Sequence, residues 1–479
     1  MGNSSLTASI HILDDDCLIN VFYLYRPFIL GEDGNEDARV IGGDGRWDRE
    51  RWWYKLAHVC QKWRNVLLRS TAYLGVSLVC TNGTPVADML AHSPPLPLVV
   101  EYSLGEDSNI TAEDEEGAIL ALKQYNRVRR VRLQMSYNSM RNLIGVMDDE
   151  YPIMEYLIIG HYIGPKSTIL TFPETFQAPH LRHTLLCGFS LPIGSRLLTT
   201  AVGLVTLCLL MVHPSTYFHP NTLLHWLSSM PQLEIVHIRF SFADSNRDVE
   251  GQLIPTPITT PVILPNLLIF RFRGVRAYLE ELVHRTVAPR LHKLEIWFFN
   301  QLTFPLPRLL QFANAAKNLR FESAELWFSG ENVGVELYRQ AETETCSLSF
   351  TVFCCRLDWK ISSAAQILDS LGPMFSAVEN LVLENGVHNR SSEVYDEADG
   401  TEWRKLLNPF RNVKTLRIAG GLVNDLSCCL QMDDGEDSLV LLPKLQELKY
   451  FGRGNTGDAF TRLIDSRQNA GCPITVVRS

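Results

Sequence analysis

The decapeptide PRLHKLEIWF, residues 289–298, carries the pattern that decides the fold. Its proline is followed by Leu291, Leu294 and Ile296, which gives the phrase Pro-x-Φ-x-x-Φ-x-Φ, where Φ is an apolar residue. Apolar and polar residues alternate at the end of this phrase, and that alternation predicts a β-strand with one buried face. Clear copies occupy residues 152–159, 231–238, 265–272 and 443–450, and weaker ones end at Leu133, Leu186, Leu209, Leu326, Phe350, Leu383 and Ile418.

Successive copies of the phrase end 23 to 35 residues apart, which leaves room for a strand and a returning helix or loop. One such unit cannot bury its apolar face alone, so neighbouring units are expected to stack into a continuous core. The phrase and its period resemble leucine-rich repeats with irregular spacing. That resemblance implies an α/β solenoid over residues 98–479, with residues 472–476 forming its last strand.

The N-terminal residues carry a helical pattern instead. LDDDCLINVFYL, residues 13–24, has apolar residues at helical spacing and three aspartates where they favour a helix N-terminus. The pattern resumes over residues 52–60 and 63–67, so three short helices are predicted within residues 8–75. Residues 26–50 are acidic and Gly-rich and predict an exposed inserted loop, and residues 76–97, which end in a Pro-rich run, predict a linker.

These helices resemble an F-box. The stretch from Leu13 to Phe22 is similar to its opening helix, and Val59-Cys60-x-x-Trp63 is similar to its closing signature. The insertion between them is typical of a large group of fungal F-box proteins. The resemblance implies that the helices bind the Skp adaptor of a cullin–RING ubiquitin ligase through Leu13, Leu18, Val21, Phe22, Val59, Cys60 and Trp63. The alternative is a protein-interaction scaffold in which the same helices only cap the solenoid and recruit no ligase.

The repeats predict a second binding surface. The residues flanking the last Φ of each phrase point away from the core, to the concave face of the expected solenoid. In the middle copies these residues include Arg239, Arg271, Arg273 and Trp297, and arginine and tryptophan are favoured at binding hot spots. We therefore expect this group to bind a target protein, with an acidic or phosphorylated peptide as a plausible ligand. The alternative is a solvated strand face without a ligand.

The composition of the chain limits which classes of partner and which cellular compartments are expected. The 479 residues carry a formal charge of −9, which argues against general affinity for nucleic acid. No secretory signal is evident, and the apolar stretch 197–212 is shorter than the roughly 20 residues that a membrane span needs, so no membrane association is expected. The eleven cysteines, with adjacent pairs at 354–355 and 428–429, favour a reducing compartment, and we expect the cytoplasm or the nucleus.

Sequence motifs for catalysis and for metal binding are absent or incomplete. The sequence has no G-x-S-x-G, H-E-x-x-H or G-x-G-x-x-G. Residues 160–167 are similar to a phosphate-binding loop, but Pro165 has no N–H to offer a phosphate. A calcium-loop pattern beginning at Asp33 lacks its glycine, and the cluster of His180, His183 and Cys187 lacks a fourth ligand. We therefore expect a non-catalytic adaptor without metal or cofactor; a hydrolase with scattered catalytic residues is the remaining alternative.

Overall fold

The computed structural model describes residues 13–26, 51–103, 110–161, 169–213, 216–241, 261–299, 305–316, 319, 321–339, 346–354, 357–385, 400–419, 422–431, 441–450, 460–469 and 471–478. The chain divides into two compact units, Met1–Leu204 and Val205–Ser479, called here the N-terminal and the C-terminal unit. Both combine helices with a mostly parallel β-sheet, so the prediction of an α/β fold is confirmed.

The N-terminal unit begins with the helices α1 (Asp15–Tyr25), α2 (Trp52–Ala57), α3 (Gln61–Arg69) and α4 (Thr71–Leu74). Helix α1 begins at Asp14, whose carboxylate accepts the Cys17 backbone N–H at 2.7 Å. Its Leu18 and Phe22 are buried, and the ring of Phe22 meets that of Trp63 on α3 edge-on at 5.0 Å. The three predicted helices are present. From residue 27 onward, the predicted inserted loop lies outside the described residues.

Strands follow the helices directly. The N-terminal unit contains β1 (Leu78–Thr81), α5 (Val86–His92), β2 (Leu98–Ser103), α6 (Ala112–Leu122), β3 (Val128–Met135), α7 (Tyr137–Ile144), β4 (Tyr156–His161), β5 (Leu170–Thr171), β6 (His183–Cys187), β7 (Phe189–Ser190) and α8 (Arg196–Thr200). Its main sheet runs β1-β2-β3-β4-β6, all parallel, and β5 pairs with β7 apart from it.

Residues 76–97, predicted to be a linker, instead form β1 and α5. Leu78 to Thr81 pair in parallel register with Leu98 to Glu101 of β2, and Leu78, Val79 and Cys80 are buried. The short apolar run that precedes the prolines therefore adds a strand to the sheet. The Trp53 indole N–H also donates to the Ser77 carbonyl at 3.0 Å, which ties α2 to the start of this strand.

The C-terminal unit continues the alternation of strands and helices. Its strands are β8 (Thr206–Val212), β9 (Ile235–Phe240), β10 (Val262–Ile263), β11 (Ile269–Gly274), β12 (Thr286–Val287), β13 (Lys293–Phe298), β14 (Ser323–Phe328), β15 (Asn332–Tyr338), β16 (Leu348–Phe353), β17 (Asn380–Asn385), β18 (Thr415–Ala419), β19 (Glu447–Tyr450) and β20 (Thr475–Arg478). Its helices are α9 (Pro220–Ser228), α10 (Arg276–His284), α11 (Pro307–Ala315), α12 (Leu357–Ser370), α13 (Gly400–Leu407), α14 (Val423–Gln431) and α15 (Thr461–Asn469), with a 3-10 helix at Gly372–Ala377. Every copy of the repeated phrase ends in a strand, as predicted.

One hairpin interrupts the parallel order. The main sheet of this unit runs β8-β9-β11-β13-β16-β15-β14-β17-β18-β19-β20, so β13 is followed in space by β16 rather than by β14. Strand β15 lies antiparallel between β14 and β16, because a short turn at residues 329–332 reverses the chain immediately after β14. The expectation that successive phrases are spatial neighbours therefore fails at this point.

The two faces of the C-terminal sheet differ. Phe272 of β11 stacks on Tyr278 of α10, with ring centroids 5.8 Å apart, and Phe328 of β14 meets Trp403 of α13 at the same distance. Since successive residues of a strand point to opposite faces, the residues next to Phe272 and Phe328 lie on the side away from these helices. We call that side the open face.

Among the residues that the structure describes, no helix combines the length and the apolar composition needed to cross a bilayer.

Candidate partner-binding surfaces

Strand register places the predicted target-binding residues on the open face in two rows. Arg239 of β9, Arg273 of β11 and Trp297 of β13 are direct cross-strand neighbours. Arg271 belongs to the adjacent row, where its neighbour on β13 is Glu295. The four residues of the predicted site therefore lie on three adjacent strands. Their contacts, however, differ from one residue to another.

Arg271 is engaged within the sheet. Its Nε lies 2.7 Å from Oε2 of Glu295, and the Nζ of Lys293 lies 2.6 Å from the other oxygen of the same carboxylate. The side chains of Arg271 and Glu295 are only 7% and 12% exposed. A buried guanidinium matched by a buried carboxylate has little charge left for a partner, so the geometry gives Arg271 a role within the protein.

Arg239 and Arg273 differ from Arg271. Both are half-buried, and the Nε of each is shielded from solvent without a hydrogen-bond partner. Within the described ranges, no carboxylate forms an ion pair with either. The Arg273 guanidinium lies 4.8 Å from the centre of the Phe353 ring and 6.0 Å from that of Phe299. Burial, and then the charge of Arg239, lower the pKa of Arg273 to about 10, so Arg273 remains a cation at neutral pH.

The row that contains these arginines continues across the sheet to an acidic end. Beyond Trp297, the register passes through Thr351 of β16, Gly334 of β15 and Trp327 of β14 to Glu384 of β17. We call the whole set the cross-strand row: Arg239, Arg273, Trp297, Thr351, Gly334, Trp327 and Glu384. It places two cations at one end, two indoles in the middle and an exposed carboxylate at the other end.

The middle of the row is shaped by a glycine. The Trp327 indole lies against Gly334, where a side-chain methyl group would overlap the ring. The Trp327 indole N–H donates to Oε1 of Glu336 at 3.0 Å, and the Tyr338 hydroxyl donates to Oε2 of the same carboxylate at 2.6 Å. Gly334 thus provides the space in which the indole lies along the sheet, and Glu336 fixes its orientation.

Carboxylates crowd the acidic end. Glu325 of β14 is the cross-strand neighbour of Glu336 on β15. Burial raises the pKa of the Glu325 carboxyl, and Glu336 and Glu384 raise it further, against weaker opposing effects of Tyr338 and Arg417. This end of the row is therefore negative and under repulsion at neutral pH.

Replacing Glu325 with glutamine is expected to stabilise the protein at neutral pH. The folded-state pKa lies above that of the unfolded chain, so charging this carboxyl as the pH rises opposes folding, and the penalty disappears as the pH falls through the same window. Urea unfolding at pH 7.5 should show a gain of about 0.2–1 kcal/mol, the range for a like-charge cross-strand pair. The gain should shrink at pH 4.5. A gain independent of pH would contradict the explanation by repulsion.

Helix α1 offers a second surface. Leu18 and Phe22 form its buried stripe, and Val21, Leu24 and Tyr25 form an apolar stripe next to it and are 45%, 83% and 53% exposed. The spacing of the second stripe is the i, i+3, i+4 spacing of one helix face. An α-helix whose apolar surface is only partly covered presents a face suited to a second protein.

The residues predicted to bind an adaptor fall into two groups. Leu13, Val21 and Val59 are 36%, 45% and 53% exposed, and Cys60, at the start of α3, is half-buried. The remaining three, Leu18, Phe22 and Trp63, are buried in the packing of the helices themselves. Leu24 and Tyr25 were missed, although their spacing from Val21 was visible in the sequence.

Metal and cofactor sites gain no support. Within the described ranges, no group of three histidine, cysteine, aspartate or glutamate side chains is placed to hold a metal ion. His183, from the cluster considered above, stacks on Tyr156 with ring centroids 4.6 Å apart. The calcium-like pattern, and residues 162–167 of the phosphate-loop pattern, lie outside the described residues.

Comparison with known proteins assigns no family. No protein-family model matches the chain, and no curated protein is significantly similar to it. The class that the fold itself defines is an α/β protein, whose C-terminal sheet is mostly parallel and packs against helices on one face.

Proposed function

We propose that the chain is a non-catalytic substrate-recognition adaptor of an SCF-type cullin–RING ubiquitin ligase. Its N-terminal helices act as an F-box and bind the Skp adaptor, and its leucine-rich-repeat-like solenoid binds a target protein. The adaptor works in the cytoplasm or the nucleus, and the free thiols of the described cysteines suit a reducing compartment. Proximity supplies the mechanism, because tethering raises the effective concentration of target lysines near the transferring enzyme.

The observation that carries this proposal is the exposed stripe of α1. Leu24 is the most exposed of its residues, and Val21 and Tyr25 extend the patch along the helix. Fully covering a leucine or valine side chain is worth about 1.5–3 kcal/mol, so a partner that covered this stripe would gain several kcal/mol. The stripe lies on the same helix whose sequence resembles the opening helix of an F-box, which is why we propose the Skp adaptor as that partner.

Replacing Val21 and Leu24 together with aspartate is expected to reduce capture of the purified Skp adaptor by the full-length chain at least tenfold. Both side chains are largely exposed, so the free energy of unfolding should change by only about 1 kcal/mol. The full chain is needed because a fragment ending near residue 95 would separate β1 from β2. The readout is a pull-down with quantified adaptor.

Ile193→Asp provides the matched control for this experiment. Ile193 is 76% exposed and belongs to the same unit, but it lies outside α1. It should leave adaptor capture unchanged. Equal capture by the wild type and the double variant, or no capture by either, would refute the ligase function.

A scaffold without ligase activity is the second candidate, and one observation favours it. Leu18, Phe22 and Trp63 are buried within the chain, and the Trp53 indole is hydrogen-bonded to the start of β1. Helices that pack against their own chain in this way are suited to cap the sheet without binding an adaptor. The scaffold predicts that the adaptor ignores the wild-type chain while the target-binding face retains its ligand.

A further inference from the structure

We propose that the cross-strand row binds an extended peptide with a phosphorylated residue at one end and a lysine or arginine about seven residues away at the other. This inference rests on the target-binding role proposed above and specifies the ligand. It follows from the order of charges and aromatic rings along the row. The cationic end, the aromatic middle and the acidic end each restrict which peptide can bind.

The cationic end selects a doubly charged anion. Arg239 and Arg273 are neighbours on adjacent strands, and neither forms an ion pair with a carboxylate in the part of the chain that the structure describes. Their buried Nε atoms lack hydrogen-bond partners. Burial, and then the charge of Arg239, lower the pKa of Arg273, and an anion bound at this end of the row would offset that unfavourable charge. A phosphate monoester carries close to two negative charges and three acceptor oxygens, so it matches the pair better than a single carboxylate does.

The aromatic middle selects an extended backbone. Trp297 and Trp327 stand in the row on either side of Thr351 and Gly334, which are both buried. Half-buried indoles at this spacing offer apolar contact to a peptide chain that crosses the strands.

The acidic end selects a cation. Glu384 is exposed, and no ion pair involving it occurs among the described residues. Glu325 and Glu336 on the next two strands add negative charge beside it, and burial, followed by the charges of Glu336 and Glu384, raises the pKa of Glu325. A lysine or arginine of the ligand would relieve that repulsion while pairing with Glu384.

The distance between the two ends sets the length of the ligand. From β11 to β17 the row crosses five strand-to-strand steps. At about 4.8 Å per step, Arg273 and Glu384 are separated by about 24 Å along the sheet. An extended peptide advances about 3.3 Å per residue, so about seven residues span the row.

The test uses fluorescein-labelled synthetic peptides and the full-length chain, with binding followed by fluorescence anisotropy. Each peptide carries a phosphoserine and a lysine, in either order, separated by two, six or ten Ser/Ala residues. In one of the two orders, the six-residue spacer should bind at least tenfold more tightly than the other spacers. Replacing phosphoserine with serine or with glutamate should weaken binding at least tenfold and at least threefold, respectively.

Substitutions in the cross-strand row test whether its residues account for the affinity for the peptide. Arg239→Gln and Arg273→Gln should each weaken the six-spacer peptide about tenfold, whereas Arg290→Gln, at an exposed arginine in the loop before β13, should have no effect. Glu384→Lys poses little risk to folding because the side chain is exposed. It should weaken the lysine peptide and restore binding of a peptide in which glutamate replaces the lysine.

The outcomes separate this inference from the proposed function. Affinity independent of spacer length, equal binding of the unphosphorylated or glutamate peptide, or failure of the Glu384→Lys exchange would overturn it. If the Skp adaptor is captured and the peptides do not bind, the peptide inference alone fails. If the peptides bind as expected and the adaptor does not, the ligand assignment holds and the ligase function fails.

Discussion

Replacing Trp63 with alanine is expected to lower the free energy of unfolding of the N-terminal helices by about 3–5 kcal/mol. Trp63 is buried, and its ring packs edge-on against Phe22 at 5.0 Å, so the truncation leaves a large cavity between α1 and α3. Because a typical domain is stable by only about 5–15 kcal/mol, this loss should greatly increase the fraction of molecules in which these helices are open. Hydrogen exchange of residues 15–25 provides a direct measurement.

Two companion variants give this experiment its controls. Trp63→Phe keeps most of the ring and should cost about half as much. Tyr73→Ala removes a ring that is 56% exposed and should cost less than about 1 kcal/mol. Adaptor capture should fall with Trp63→Ala because the helices lose their packing, and fall with the Val21/Leu24 double variant while they remain folded. Normal exchange protection in Trp63→Ala would show that this indole does not hold α1 and α3 together.

Replacing Glu295 with alanine is expected to cost about 3–5 kcal/mol of stability in the C-terminal unit. The change removes the carboxylate that Arg271 and Lys293 share and leaves the charge of Arg271 buried without it. Urea unfolding monitored by circular dichroism measures the loss. Replacing Arg271 and Glu295 together with methionine should cost much less than Glu295→Ala, because no buried charge then remains.

An exposed ion pair gives the comparison for Glu295. Lys414 and Glu379 approach to 2.7 Å, but their side chains are 44% and 48% exposed. Glu379→Ala should therefore cost at most about 1 kcal/mol. Equal losses of unfolding free energy for Glu295→Ala and Glu379→Ala would contradict the expectation that burial makes the Arg271–Glu295 pair more costly to break.

The strand pattern was predictable because a strand that is buried on one face repeats every second residue. The phrase therefore located β11 and β13. Strand β15 was missed, although Val333, Val335 and Leu337 alternate, because no proline introduces it and it lies between two copies of the phrase. Strand β1 was missed because its short apolar run precedes a Pro-rich segment, which suggested a linker.

The sequence predicted which residues lie on the candidate surfaces. It did not predict which of their charges are paired within the protein. Arg271 and Arg273 look equivalent in the sequence, and only the register with β13 shows that Glu295 faces Arg271 while Trp297 faces Arg273. Glu384 could not be connected to Arg273 from sequence, because the hairpin of β15 changes the order of the strands.

The antiparallel hairpin also bears on how the chain folds. Parallel neighbours in this sheet are joined through crossovers of many residues, so forming each pair requires closing a long loop. Strands β14 and β15 are joined by a short turn, and their pairing carries the smallest loop-closure entropy in the described sheet. The hairpin is thus a local nucleus, from which ordering can spread to β17 on one side and through β16 to β13 on the other.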